Sequence, residues 1–241
     1  MPSTADGFAA AASLEGVPSA LAAARDGIDV LLRDRGMRRT TPELTAESLL
    51  RGAAASAAIE GSPWSLADLR AGAGDPVATA AVRLNAGLLS LAPVVTRSPL
   101  QAFARLHTLA AAGLVEDSAL GRPRAEPGLA ARLHRLAQQL VAPTDAPAIA
   151  VAAIAHAEIV TLAPFESENG LVARALERLI LVARGVDPTS VTVPEGGHLA
   201  LVEGYRDALT AYGRGDLDGR RAWLLHAATA VTQGAELSPL R

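Results

Sequence analysis

The chain has 241 residues, a net charge of −3 at pH 7, no cysteine and no lysine, so that all 22 of its basic residues are arginine. This excludes disulfides, thiolate nucleophiles, Schiff-base lysines and phosphate-loop lysines. It also argues against an electrostatic nucleic-acid binder, which would carry a basic stripe. Half of the residues are hydrophobic but only 3% are aromatic, so the core must be built from Ala, Leu and Val. Alanine has the best helix propensity, and the expected class is all-α.

The opening MPSTADGFAAAASLEG reads as a loose, flexible tail over residues 1–16. It has neither a basic n-region nor a sustained apolar h-region, so no secretory signal is expected and a cytoplasmic location is. Leu21 to Leu32 reads as a first helix, followed by an Arg-rich solvated turn at Arg33–Arg39. Thr41-Pro42 combines an N-cap with a proline at the first helical position and opens a helix that stops at Gly61. Ser65 and Asp68 have capping-box spacing. Asp75-Pro76 and Ser98-Pro99 open two more helices, closing near Leu91 and at Gly113.

Gly121–Gly128 is a turn-rich connector. Leu129–Val141 is amphipathic, with Leu133, Leu136 and Leu140 on one face. Ala148–Leu162, between Pro147 and Pro164, is apolar but shorter than the ~20 residues of a membrane span; it reads as a buried central helix, and no membrane partner is expected. A helix from Asn169, with Asn169 as its N-cap, ends at Gly185. Val191–Val193 is too short to change the class. Helices near His198–Tyr212 and Gly219–Gln233 complete the chain. His107, His134, His156, His198 and His226 show no paired metal-ligand spacing, so each reads as an isolated histidine and no metal site is expected.

Residues 163–174, APFESENGLVAR, resemble the signature of the Fic (Fido) family, H-P-F-x-[D/E]-G-N-G-R-x-x-R. Pro164, Phe165, Asn169, Gly170 and Arg174 match it. Ala163 stands at the base histidine, Ser167 at the metal-binding acid, Glu168 at the first glycine and Leu171 at the first arginine. The resemblance extends over about residues 76–232. It includes LHTLAAAG (106–113) with GRPR (121–124), and the segment from Tyr205 to Ala230 with Trp223. Ser56, Glu60 and Gly61 resemble the family's inhibitory motif [S/T]xxxE[G/N].

The resemblance implies an all-α Fic-type domain with an N-terminal helix packed on the core. It divides the chain into the tail (1–16), an N-terminal helical region carrying the motif (17–75), and a Fic-like core with C-terminal helices (76–241). In that family the loop transfers AMP from ATP to protein hydroxyls with Mg²⁺, and the inhibitory glutamate pairs with the loop's second arginine. Here that pair would be Glu60 and Arg174. Alanine at 163 cannot act as a general base, and serine at 167 is a poor anchor for Mg²⁺. Glu168 opposes phosphate binding, and Leu171 removes a donor fork.

The expected function is therefore a pseudo-enzyme that binds or regulates an unknown protein partner, without AMP transfer. The alternative is a nucleotide-binding protein, or a nucleotidyl or phosphoryl transferase rewired through Glu166 or Glu168 with ATP and Mg²⁺. The family's homodimers make a dimer an expectation as well. The β-hairpin flap that aligns the family's targets has no strand-like counterpart in Arg124–Leu129.

Overall fold

The structure is a computed structural model that describes residues 6–34 and 40–241. Among these there is no β-strand. Thirteen α-helices are described: α1 (Gly7–Ala12), α2 (Val17–Asp34), α3 (Pro42–Ile59), α4 (Leu66–Arg70), α5 (Pro76–Leu88), α6 (Ala92–Val95) and α7 (Pro99–Ala111), then α8 (Leu129–Val141), α9 (Ala148–Leu162), α10 (Asn169–Ala183), α11 (Pro194–Ala200), α12 (Val202–Gly213) and α13 (Leu217–Glu236). A 3-10 turn, Leu89–Leu91, joins α5 to α6.

The helix starts follow their caps. The Thr41 hydroxyl accepts from Leu44 N–H, and Ser65 and Asp68 form a reciprocal capping box. Asp75 and Asp216 cap α5 and α13. Residues 1–5 of the expected tail and 35–39 of the expected Arg-rich turn lie outside the described residues. From Asp6 onward the tail expectation is corrected. The Asp6 carboxylate accepts from Phe8 N–H and Ala9 N–H at the start of α1 and from the Thr144 hydroxyl. Phe8, Ala11 and Ala12 are buried. One aromatic side chain and one good cap thus outweigh the low-complexity look of the segment. The helix expected over His198–Tyr212 is two helices, α11 and α12, parted at Leu201.

Helix α9 is buried on almost every face, as an all-apolar helix requires, and packs most extensively on α10. Helix α13 lies across α2, α11 and α12, and α3 packs on α5 and α11. A second apolar stretch, Pro76–Val95, is long and apolar enough by composition to cross a membrane, but it is interrupted at the 3-10 turn and packs on α3, α7 and α10.

The contact that places the site is between α3 and α10. Ser48, Gly52, Ser56 and Glu60 recur every four residues and share one face of α3. They meet Arg178 and Arg174, which lie one turn apart on α10. Gly52 is required here, because a Cβ at that position would lie 2.8 Å from both Arg178 Nη2 and Glu195 Oε2. Arg178 is bidentate to Glu195 (2.9 and 2.7 Å) and donates to the hydroxyls of Ser48 and Ser190, all within the core.

Candidate functional site

Helix α9 ends at Ala163 in a left-handed conformation (φ 40°), and the loop then runs through Pro164–Glu168 to the N-terminus of α10. Asn169 is not the cap of that helix. It is the first helical residue, and its side-chain amide closes the loop. Asn169 Oδ1 accepts from Phe165 N–H (3.0 Å), and Asn169 Nδ2 donates to the Phe165 carbonyl (2.9 Å). The cap position belongs to Glu168, which also has a left-handed backbone (φ 57°) and makes no side-chain cap bond. The chain thus keeps at 168 the backbone shape of a glycine while carrying a glutamate there, a strained arrangement for an L residue.

The Phe165 ring is buried and stacked on His107 (centroids 4.2 Å, 6° between planes). Gly121 N–H donates to His107 Nδ1 (2.9 Å). Burial also lowers the histidine pKa, so the ring is neutral with its proton on Nε2. The LHTL and GRPR segments are therefore tied to the loop through one ring. Arg124 adds two bonds, from its N–H to the Pro164 carbonyl (2.8 Å) and from Nε to the Ala163 carbonyl (2.9 Å). The Arg124–Leu129 segment, where the family carries its flap, is thus held against the loop.

Arg174 is 1% exposed. Its Nε donates to Ser56 Oγ (2.7 Å), Nη1 to Tyr205 Oη (3.1 Å), and Nη2 to Glu60 Oε1 (2.5 Å) and to the Ser56 carbonyl (3.3 Å). The structure thus brings Ser56, Glu60 and Arg174 together. Gly61 contributes at the backbone, with φ 93° just after α3, where glycine carries no side-chain penalty. The Glu60 carboxylate lies over Gly170, where an added Cβ would collide with Oε1. It therefore sits at the first turn of α10, where a helix dipole favours an anion.

Of the remaining loop positions, Ala163 presents only a methyl group. Leu171 is buried in the core, and Ser167 Oγ is buried without a hydrogen-bond partner among the described residues. Glu166 is exposed, as a solvated loop predicts, whereas Glu168 is half-buried. Burial, with the nearby Glu60 charge, raises the Glu168 pKa. ATP with Mg²⁺ does not fit this residue set. The anion position at α10 is held by Glu60, Arg174 is already engaged by protein acceptors, and the carboxylate expected at 167 is a hydroxyl.

The reading of isolated histidines is corrected for His156, His198 and His226. His156 Nδ1 lies 2.5 Å from Glu177 Oε2 and its Nε2 lies 2.9 Å from Tyr205 Oη. His198 Nε2 lies 2.8 Å from the same Glu177 oxygen, and His198 Nδ1 lies 3.2 Å from His226 Nε2. Burial dominates over Glu177 and lowers His156 to about 4. The Glu177 carboxyl is pushed up by burial, but the two histidines more than reverse this and hold it well below the usual range. With both ring nitrogens engaged, His156 is not a substitute for the missing base. Sequence spacing had no means of finding this cluster: its hydrogen-bonded pairs are 21 to 49 residues apart and join α9, α10, α11, α12 and α13.

No protein-family model matches the sequence, and no curated protein matches it. Solved structures do. A Fic family protein from Desulfovibrio desulfuricans G20 superposes with a TM-score of 0.73 at 18% identity, covering 90% of this chain and 73% of that one. Fic-1 (residues 134–508) from C. elegans superposes with a TM-score of 0.65 at 19% identity, covering 92% and 72%. A glutamate-to-glycine variant of that fragment gives 0.63 at 20% identity, covering 90% and 70%. The chain has the Fic fold, and it has it in the all-α form that its sequence predicts.

Proposed function

We propose that this Fic-fold protein has lost AMP transfer and acts as a binding or regulatory pseudo-enzyme toward a protein partner. The observation that carries this reading is Ala163, which puts a methyl group where the resembled signature has its base. Ser167, Glu168 and Leu171 support it by removing the acid, the glycine and the first arginine of the same loop. The Glu60–Arg174 pair then serves as a structural tie between α3 and α10. With no base to restrain, inhibition has no object, whereas a buried arginine still needs its carboxylate.

The test is calorimetric titration of ATP with Mg²⁺ into the wild type and Glu60→Gly. The expected result is no heat of binding from either, with melting temperatures unchanged at millimolar ATP. Restoring Ala163→His, Ser167→Asp, Glu168→Gly and Leu171→Arg together in the Glu60→Gly background is expected to leave binding undetectable, if the site has decayed as a whole. Micromolar binding by the wild type, with pyrophosphate release, would overturn the reading.

One observation favours a second reading, a transferase rewired through Glu168. This carboxyl is half-buried within the loop, and burial together with the nearby Glu60 charge raises its pKa, the direction that a general base at neutral pH requires. That reading requires turnover by the wild type that Glu168→Ala abolishes.

A further inference from the structure

Beneath the loop lies a set of side chains that neither the loop chemistry nor the Glu60–Arg174 tie uses. His156 on α9, Glu177 on α10 and His198 on α11 each offer one ligating atom, and these atoms lie within 4.8 Å of one another. All three residues are buried, at 0%, 1% and 0% exposure. We propose that His156 Nδ1, Glu177 and His198 Nε2 form a transition-metal site of the zinc class that staples α9, α10 and α11 together.

Three independent observations point to a cation. The first is an orphaned atom. Glu177 Oε2 meets both histidines, but Oε1 is buried with no hydrogen-bond partner among the described residues. A buried carboxylate oxygen is ordinarily satisfied, and an exception calls for a ligand. A metal held by the carboxylate would give both oxygens a role.

The second is the outer shell. Metal-bound histidines characteristically use their other ring nitrogen in a hydrogen bond that fixes tautomer and orientation. His156 Nε2 faces Tyr205 Oη, and His198 Nδ1 faces His226 Nε2. Both rings can thus carry their proton on the outward nitrogen and leave Nδ1 of His156 and Nε2 of His198 free to ligate. The Trp223 ring stacks parallel to His198 (6° between planes) and meets His156 edge-on (71°). Its Nε1 is anchored on the Ala153 carbonyl (2.7 Å).

The third is access. His226 is only partly buried, and it lines a surface cavity of about 460 Å³ with Leu201, Glu203 and Gly204. A cation entering there would pass a histidine before reaching His198.

The donor set is two imidazoles and a carboxylate, which suits zinc and its neighbours rather than Mg²⁺ or Ca²⁺. Bonds of about 2.0–2.2 Å in tetrahedral geometry put ligand atoms about 3.3 Å apart. Binding would therefore replace the two hydrogen bonds at Glu177 Oε2 with coordinate bonds, lengthening those two edges by about 0.5–0.8 Å while bringing the two ring nitrogens, which lie within 4.8 Å of each other, to a similar separation.

The experiment uses the untagged full chain, stripped with chelator and titrated with Zn²⁺ in competition with a chromophoric chelator. The expected result is one equivalent bound with a dissociation constant below about 1 μM. The melting temperature should rise by about 5–10 °C at a hundredfold excess over that constant. Glu177→Gln and His198→Ala should weaken binding at least a hundredfold, while His134→Ala, outside the cluster, should not change it.

Because the cluster variants remove buried partners on which the fold depends, Co²⁺ is added to the wild type as a second probe. Intense visible absorption of a four- or five-coordinate ion, with quenching of Trp223 fluorescence in a Trp64→Phe background, is expected. The proposal is overturned by the absence of a one-to-one complex. It is overturned equally by a weak octahedral Co²⁺ spectrum with Trp223 unquenched, or by folded His198→Ala binding Zn²⁺ as the wild type does.

Discussion

Removing the Glu60 carboxylate should destabilise the protein by an amount that the geometry bounds. Arg174 is 1% exposed and Glu60 is 35% exposed at the side chain. Breaking a wholly buried pair costs about 3–5 kcal/mol, and breaking an exposed one costs about 0–1 kcal/mol. A pair with one buried cation and a partner at one-third exposure falls between, at about 2–3 kcal/mol. Ser56 and Tyr205 still accept three of the arginine's bonds in Glu60→Ala, which keeps the loss below the fully buried limit. For a chain of this size each kcal/mol shifts the melting temperature by about 2–4 °C, so Glu60→Ala should melt about 5–10 °C lower.

Glu60→Gln keeps an acceptor without the charge and should lose roughly half as much. In a double-mutant cycle with Arg174→Met, the two substitutions should be strongly coupled, the second costing little once the first is made. Melting is followed by calorimetry at low and at moderate salt, and the shift should change little between them because the cation is shielded from solvent. A Glu60→Ala protein that melts within 1 °C of the wild type would show that the carboxylate does not hold the arginine.

Other substitutions probe separate parts of the account. Glu168→Gly should raise the melting temperature by about 1–3 °C, since relief of left-handed strain, about 1–2 kcal/mol, exceeds the entropic cost of glycine, about 0.5–1 kcal/mol. The raised pKa of Glu168 makes its ionised form unfavourable in the fold, so its contribution weakens as pH rises above the ordinary carboxyl value. Melting of Glu168→Gln should accordingly fall less between pH 4.5 and 7 than that of the wild type. Gly52→Ala should cost about 2–4 kcal/mol in denaturant unfolding, because its methyl displaces the buried Arg178–Glu195 pair. Asp6→Ala should cost about 1 kcal/mol as a lost cap. The hydrogen bond from Thr144, with those from Ala9 and Phe8, lowers the Asp6 pKa. The Asp6 contribution is therefore present above the unfolded carboxyl pKa and lost as pH falls through the lower folded value, which parallel acid melts of wild type and variant would show.

The parts of this fold that were legible in the sequence are those that local chemistry specifies. The Thr41-Pro42, Asp75-Pro76 and Ser98-Pro99 starts each mark the first residues of a helix, and Leu129–Val141 and Ala148–Leu162 have the bounds that their patterns predict. Glu60 and Arg174, 114 residues apart, came together only through the likeness of two short motifs to a known family, since no spacing rule links them. The α3 stripe Ser48, Gly52 and Ser56 is visible as small residues every four positions, ending at Glu60, and that spacing marks a close helix approach. Asn169 was misassigned because a helix-start asparagine ordinarily caps, whereas here it mimics a peptide to close the loop. The tail was misread because Asp6 and Phe8 act through Thr144 and the core, which composition does not register. Glu177 and Arg178 read in the sequence as ordinary helix residues, whereas the fold buries them to 1% and 2% exposure against His156, His198 and Glu195.

The claim that this Fic-fold chain has lost AMP transfer is tested most directly by incubating it with ATP labelled at the α-phosphate and Mg²⁺. Wild type, Glu60→Gly and Glu168→Ala are compared, with and without a bacterial lysate as a source of target hydroxyls. The account predicts no label on the chain or on any lysate protein above a protein-free control, for all three. Label deposited by the wild type or by Glu60→Gly, and abolished by Glu168→Ala, would contradict it.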